Sequence, residues 1–181
     1  MSTTHLLDRV AAAHGQVCYE VPVGFKWISA KMAETGAVIG GESSGGLTVR
    51  GHIPGKDGVY AGSLLVEAVA ASGKKLSELY ADIVARYGEL VMVEGAYGFT
   101  SERRAELEER IFCAHDLPAF AHDVERVSWD DGCKVYFTGG GWVTIRFSGT
   151  EPLLRVFAEM PTGDEARSIA AVVASHYGLN A

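Results

Sequence analysis

The chain has 181 residues, 48% of them hydrophobic and 22% charged, with a net charge of −7 and a pI near 5.3. That composition is globular and excludes a disordered tract. The acidic balance excludes a general nucleic-acid binder, because phosphate backbones reward clustered Lys and Arg, but it leaves room for a small anionic ligand in a local basic pocket. Cys18, Cys113 and Cys133 show no C-x-x-C spacing, which predicts reduced thiols in a cytoplasmic setting rather than disulfides or a zinc site. The opening "MSTTHLLDRVAAAHG" is not a signal peptide, and no stretch approaches the ~20 apolar residues of a membrane helix, so no membrane partner is expected.

Residues 3–14 place Leu6, Leu7, Val10 and Ala13 on one stripe, which predicts a helix with Thr3 or Thr4 as cap and Gly15 as its end. "QVCYEVP" reads as a short strand, and "VGFKWISAKMAETG" as a tight turn leading into a helix. The glycine-rich stretch 37–58 contains the strand-like runs "AVIG" and "GLTVRG". "GVYAGSLLVEAVAASG" predicts a helix capped near Asp57, and "KLSELYADIVARYG" another with Ser77 as candidate cap. "ELVMVEGAYGF" is strand-like; "TSERRAELEERIFCAH" is a charged amphipathic helix with Thr100 or Ser101 as cap and Leu107 and Ile111 inward. "DVERVSW", "CKVYFTG" and "GWVTIRF" read as strands separated by turns at Asp130–Gly132 and Gly139–Gly141. "LLRVFAEM" is a further strand, and "TGDEARSIAAVVASHYG" a final helix.

The fold class expected is therefore α/β followed by α+β: a truncated α/β segment over residues 1–87, then a compact α+β domain over 88–181. The first part shows three helices and few strands, so its sheet has little to pair with. A strand preceding Ser2 would explain the deficit, and the exposed sheet edge gives a route to homodimerisation or aggregation.

Three stretches carry candidate chemistry. "IRFSGTEPLLR", 145–155, sets Ser148, Gly149 and Thr150 in a sharp loop between two strands, with Arg146 before it and Arg155 after it. A phosphate wants converging N–H groups, hydroxyl donors and guanidinium forks, and this loop has all three types. The residues alone describe an ordinary hairpin turn with two surface arginines equally well. "GGESSGG", 40–46, surrounds Glu42, Ser43 and Ser44 with glycine and suits a polyhydroxylated ligand; glycine and serine also make a plain flexible loop. It matches neither a Walker loop nor G-x-G-x-x-G. Lys26, in "PVGFK", opens a helix and can offer charge to an anion, though a lone lysine is ordinarily a solvated residue. "GHIPGKDG" holds His52, Lys56 and Asp57, first of all a turn and helix cap, with a ligand role open. His115 and His122 read as a solvated loop rather than metal ligands, and no H-E-x-x-H, G-x-S-x-G or carboxylate cluster is present.

Together, "RFSGTEPLLRVFAE", "GGESSGG" and "VPVGFKWI" resemble the C-terminal part of the α-D-phosphohexomutases, the phosphoglucomutase and phosphomannomutase superfamily. "TTHLLDRVAAAHG" and "GHIPGKDG" are similar to family sequence as well, so the resemblance covers almost the whole chain. It implies that Arg146, Ser148, Gly149, Thr150 and Arg155 hold the phosphate that is not transferred. It implies that Glu42 and Ser44 hydrogen-bond sugar hydroxyls and that Lys26 contacts substrate. Ser43 stands where relatives often carry an acidic residue or Met, and Val21 where many carry Thr.

The family has four domains, with a phosphoserine loop of the S-H-N type in the first and a Mg²⁺ loop of the D-G-D-G-D-R type in the second. Neither motif occurs here. The resemblance therefore implies no catalytic serine and no metal ligand in this chain, and no cofactor bound by it. Mg²⁺ and glucose 1,6-bisphosphate belong to the complete family enzyme. The expected ligand is a hexose phosphate, and the expected partner a separate chain carrying the catalytic domains. The alternative is a non-catalytic sugar-phosphate-binding or protein-interaction module.

Overall fold

The computed structural model describes residues 1–179, which form two compact units, Met1–Glu89 and a second beginning at Leu90. Both mix helix and strand. Among the described residues no helix is long and apolar enough to cross a membrane.

In the first unit, α1 (Leu6–Ala13) is shorter than the expected 3–14 and starts at the first residue of the apolar stripe. His5 takes the cap position, yet Thr4 Oγ1 still accepts a hydrogen bond from Leu6 N–H at 3.1 Å, satisfying one of the free N–H groups of the first turn. α2 (Phe25–Thr35) stops at Gly36, whose φ of 68° is the left-handed conformation that ends helices. β1 (Ile39–Gly41) and β2 (Leu47–Val49) pair antiparallel, with Gly40 opposite Thr48. Gly40 lies close under α2, where Ile28 and Met32 occupy the space of its missing side chain; a Cβ there would lie 2.6 Å from Met32 Sδ, so those side chains would have to shift.

α3 (Gly58–Ser72) is capped by Asp57 as its sequence suggests: Oδ1 accepts from Val59 N–H at 3.0 Å and Tyr60 N–H at 2.9 Å, and Oδ2 lies 2.9 Å from His52 Nε2. The Tyr60 N–H, then His52, hold the Asp57 carboxyl below its ordinary pKa of 3.8. A carboxylate with a depressed folded pKa contributes in full above its unfolded value and loses that contribution as pH falls through the folded one. First-turn amides of α3 are therefore expected to keep their hydrogen-exchange protection down to pH 3.8 and lose it only below. Loss of protection at neutral pH would refute the cap.

Two expectations fail in this unit. α4 (Leu76–Tyr87) begins at Lys75, not Ser77; Glu78, in the first turn, reaches back with Oε2 to accept from Lys75 N–H at 2.8 Å. Ser77 is already inside the helix. "QVCYEVP" forms no strand: residues 16–22 join no ladder, and Val17 and Tyr19 are exposed. A strand needs a neighbour for its N–H and C=O groups, and this unit's sheet consists of β1 and β2 alone among the described residues. Burial is correspondingly thin, limited to Met1, Leu6, Ile28, Thr48 and Ala61. Large apolar side chains stand in solvent along α3, with Val59 84% and Val66 69% exposed.

The second unit has a real core. β3 (Val91–Gly98), β4 (Val124–Ser128), β5 (Cys133–Phe137), β6 (Trp142–Phe147) and β7 (Leu153–Met160) form one antiparallel sheet in the order β3-β7-β6-β5-β4. α5 (Ser101–Glu108), capped by Thr100, widens into a π-type turn over Glu109–Cys113 rather than running on as regular helix. α6 (Gly163–Tyr177) buries Ala166, Ile169, Val173 and Tyr177 at helical spacing. These residues pack with Leu107, Ile111, Val135, Val143, Ile145, Leu154 and Val156, all at most 2% exposed. Arg110 and His176 both bind the Asp116 carboxylate, and Tyr177 O–H donates to Asp116 C=O at 2.5 Å, which ties the segment after α5 to the end of α6.

On β5, β6 and β7 the opposite sheet face is buried as well. Lys134, Thr144, Trp142 and Glu159 are at most 1% exposed. Trp142 Nε1–H donates to Glu159 Oε1 at 2.9 Å, and Lys134 Nζ stands 4.0 Å from the Trp142 ring centroid.

Candidate functional site

The loop 148–152 is the connection of the β6–β7 hairpin. The register sets Arg146 directly opposite Arg155 and Phe147 opposite Leu154, so both arginines leave the same face of the sheet at the foot of the loop. Ser148 N–H donates to Leu153 C=O at 2.8 Å and closes the turn. Its hydroxyl accepts from Glu151 N–H at 3.3 Å and Thr150 N–H at 3.5 Å. A Cβ on Gly149 would meet nothing within 4 Å, and its φ is not left-handed. The fold therefore does not demand glycine there.

Neither arginine is idle. Arg155 donates to Glu94 Oε1 of β3 at 2.7 Å and to Glu151 Oε2 of the loop at 2.8 Å. These carboxylates, Glu151 first, raise its pKa above the ordinary guanidinium value. Arg146 Nε is buried and lies 3.5 Å from Asp131 Oδ2, within ionic range but without a hydrogen bond. The Asp130–Gly132 turn is pressed onto the base of Arg146: Gly132 has φ 83°, and a Cβ there would sit 2.5 Å from Ile145 O and 2.7 Å from Arg146 Cβ.

An open cleft of about 320 Å³ lies beside the loop, lined by Phe99, Ser101, Arg104 and residues 148–152. Arg104 is a cation that sequence reasoning missed. Its guanidinium stacks over the Phe147 ring at 4.7 Å while Nε donates to Glu108 at 2.8 Å. On the sequence it is one charge among many on a polar helix; only the packing of α5 beside the hairpin brings it to the loop.

The residues of the 42–46 turn lie in the first unit. Glu42 N–H donates to Gly46 C=O at 2.8 Å and Gly45 N–H to Glu42 C=O at 2.9 Å, closing the turn at the end of the β1–β2 hairpin. Ser43 and Ser44 are exposed at its tip, and Gly45 takes φ 88°. Glu42 Oε2 pairs with Lys56 Nζ at 2.9 Å. Lys26 stands on the first turn of α2, its Nζ 4.8 Å from the ring centroid of Trp27. Ser29 Oγ–H of the same helix donates to Pro54 C=O at 2.9 Å, linking α2 to the segment that carries Lys56.

His115 is exposed and stacks on Trp129 at 4.1 Å, and His122 is half-buried and tilts against Phe137 at 5.7 Å; both stand outside helix and strand. Among the described residues no three His, Cys, Asp or Glu side chains cluster to hold a metal ion.

Comparison with known proteins gives a consistent result. Residues 1–87 match the family model described as phosphoglucomutase/phosphomannomutase, alpha/beta/alpha domain III, and residues 102–176 match that of the phosphoglucomutase/phosphomannomutase C-terminal domain. A phosphoglucomutase/phosphomannomutase of Thermococcus kodakarensis is 32% identical over 92% of this chain and 34% of its own length. A phosphoglucosamine mutase of Solibacter usitatus is 34% identical over 93% of this chain and 33% of its own length. Among solved structures, a Thermus thermophilus protein assigned as a phosphomannomutase superposes with a TM-score of 0.70 at 28% identity, over 97% of this chain and 34% of that one. Paramecium parafusin, a phosphoglucomutase in its open form, shares the fold with a TM-score of 0.70 at 20% identity, over 99% of this chain and 38% of that one. The chain thus spans about a third of the length of the curated relatives it matches.

Proposed function

Because this chain belongs to the phosphoglucomutase/phosphomannomutase superfamily, as a portion carrying its domain III and C-terminal domain, we propose that it is the hexose-phosphate recognition part of an intramolecular phosphotransferase. The loop 148–152 holds the phosphate that is not being transferred, between the Arg146 and Arg155 guanidiniums and the Ser148 and Thr150 hydroxyls. Glu42 and Ser44 take sugar hydroxyls, and Lys26 contacts substrate. The observation that carries this reading is the β6–β7 register, which sets the two arginines face to face at the foot of a hydroxyl-bearing loop with an unforced glycine.

Recognition is not transfer. The family reaction passes a phosphoryl group from a serine to one sugar hydroxyl and recovers it from the other, and Mg²⁺ supplies charge stabilisation when bound. This stretch has no S-H-N or D-G-D-G-D-R motif and offers no metal donor set among the described residues. It therefore positions substrate, while the serine and the metal ligands come from polypeptide outside the stretch. The thin burial of the first unit and the unladdered residues 16–22 favour this over a free-standing module: those surfaces want a partner with strands of its own.

The test is a titration of the isotopically labelled chain with glucose 1,6-bisphosphate and, separately, inorganic phosphate, read by NMR. Shifts confined to residues 41–45 and 146–155 are expected with the sugar bisphosphate, and to 146–155 with phosphate. A dispersed spectrum with no shifts at either loop would refute the reading. Turnover of hexose phosphate by the chain alone would refute the division between recognition and transfer.

A further inference from the structure

The loop 148–152 supplies acceptors to its own donors. The N–H groups of Thr150 and Glu151 converge on one atom, the Ser148 hydroxyl oxygen, at 3.5 and 3.3 Å. Both terminal nitrogens of Arg155 meet carboxylates, Nη1 at Glu94 Oε1 and Nη2 at Glu151 Oε2, 2.7 and 2.8 Å away. Converging backbone N–H groups and a guanidinium fork are the donor types that phosphate oxygens take. Here each already has an oxygen, and those of Ser148 and Glu151 come from the loop itself. The carboxylates differ in how they are held. Glu94 belongs to the β3 ladder and leaves it on the face of Arg155, since Ala96, two residues on, is paired in register with Arg155. Glu151 sits in the turn, its side chain 51% exposed, and its own C=O accepts from Leu153 N–H at 2.8 Å. That bond pins the backbone, so rotation of the Glu151 side chain alone frees Nη2 without opening the turn.

We propose that Glu151 is a displaceable counter-anion: in the free loop its carboxylate occupies the edge of Arg155 that a phosphate takes on binding, and it leaves as the phosphate arrives. The inference rests on the assignment of the loop 148–152 to the phosphate. Charge argues for the exchange. Around the loop Asp131, Glu94 and Glu151 face the guanidiniums of Arg146 and Arg155, while Arg104 is taken up by Glu108. That is an excess of negative charge, which opposes an incoming phosphate, and the departure of Glu151 removes the excess. Geometry points to the same residue. Two anions on one guanidinium nitrogen repel each other at close range. Glu151 also lines the cleft beside the loop, which gives the departing side chain room to turn. The internal acceptors favour phosphate over simpler anions as well. A halide or a single carboxylate cannot replace the Ser148 hydroxyl and the Glu151 carboxylate together, whereas a phosphate offers oxygens to the N–H pair and to the fork at once. The opposite role, a strut that aims Arg155, carries the opposite sign: removing a strut weakens phosphate binding, and removing a competitor tightens it.

The experiment titrates the chain, Glu151→Gln and Glu151→Ala with inorganic phosphate and with glucose 1,6-bisphosphate, following backbone amides and the side-chain Cδ signals of Glu94 and Glu151 by NMR. Gln keeps the size of the side chain and removes its charge. Both variants are expected to bind each ligand about three- to fivefold more tightly, the scale of one exposed ion pair that no longer has to be broken. In the unsubstituted chain, saturation with phosphate is expected to move the Glu151 Cδ signal to that of a solvated carboxylate. Unchanged or weaker binding in either variant, or a Glu151 signal that stays in place at saturation, overturns the counter-anion and leaves the phosphate assignment standing. Absence of any phosphate-dependent shift at residues 146–155 in the unsubstituted chain overturns that assignment, and the counter-anion with it.

Discussion

Arg155→Ala is expected to weaken glucose 1,6-bisphosphate binding by about 30- to 150-fold, the ~2–3 kcal/mol of a charge-assisted hydrogen bond to phosphate. The structure adds a reason beyond the lost donor. Arg155 holds Glu94 and Glu151 together at the foot of the loop, so its removal leaves two uncompensated carboxylates where the phosphate has to sit. Inorganic phosphate should suffer as much as the sugar bisphosphate, because the residue reads phosphate and not sugar. Arg155→Lys should recover only part of the loss, since an ammonium cannot serve two carboxylates and a phosphate with the planar fork of a guanidinium. Thermal stability should hardly change, because exposed ion pairs contribute at most about 1 kcal/mol. Calorimetric titration and a melting curve on the same sample separate the two effects. Equal affinity in Arg155→Ala would remove the loop from the phosphate site.

What could be read from the sequence depended on how local each feature is. The helix α3 and its Asp57 cap, the strands β3 to β7, and the turn between β6 and β7 were legible because alternation, capping residues and glycine are local signals. The strand expected at residues 16–22 has suitable residues but no neighbour, and a strand is a property of a pair. Ser77 lost the cap position to Lys75 because the carboxylate of Glu78 reaches the N–H two residues before the expected cap. In the candidate site, the loop residues were legible because Ser, Gly and Thr sit in one run. Their surroundings were not. Arg104 comes from α5, Glu94 from β3 and Asp131 from the β4–β5 turn, and only the sheet order together with the packing of α5 gathers them around the loop. The burial of Lys134 and Glu159 was equally hidden, since charged residues on an alternating strand read as its wet face.

Ile145→Ala is expected to do the reverse of Arg155→Ala: a large loss of stability with the binding site left in place. Ile145 and Arg146 are consecutive on β6 and so leave opposite faces of the sheet. Ile145 is fully buried, paired in register with Cys133 on one side and Val156 on the other, in the core that α6 closes. Truncation to alanine removes three carbons from a packed interior that cannot collapse around them, at a cost of about 2–5 kcal/mol. Against a domain stability of roughly 5–15 kcal/mol, that is a large fraction. For a unit of this size, about 3 kcal/mol corresponds to a fall in Tm of roughly 12–24 °C. Binding measured well below the lowered Tm should match the unsubstituted chain within about threefold, because the β6–β7 pairing that sets Arg146 opposite Arg155 lies in backbone hydrogen bonds and not in the isoleucine side chain. A melting curve followed by titration at low temperature checks both halves. If affinity fell with stability in proportion, the arginine pair would owe its geometry to core packing rather than to strand register.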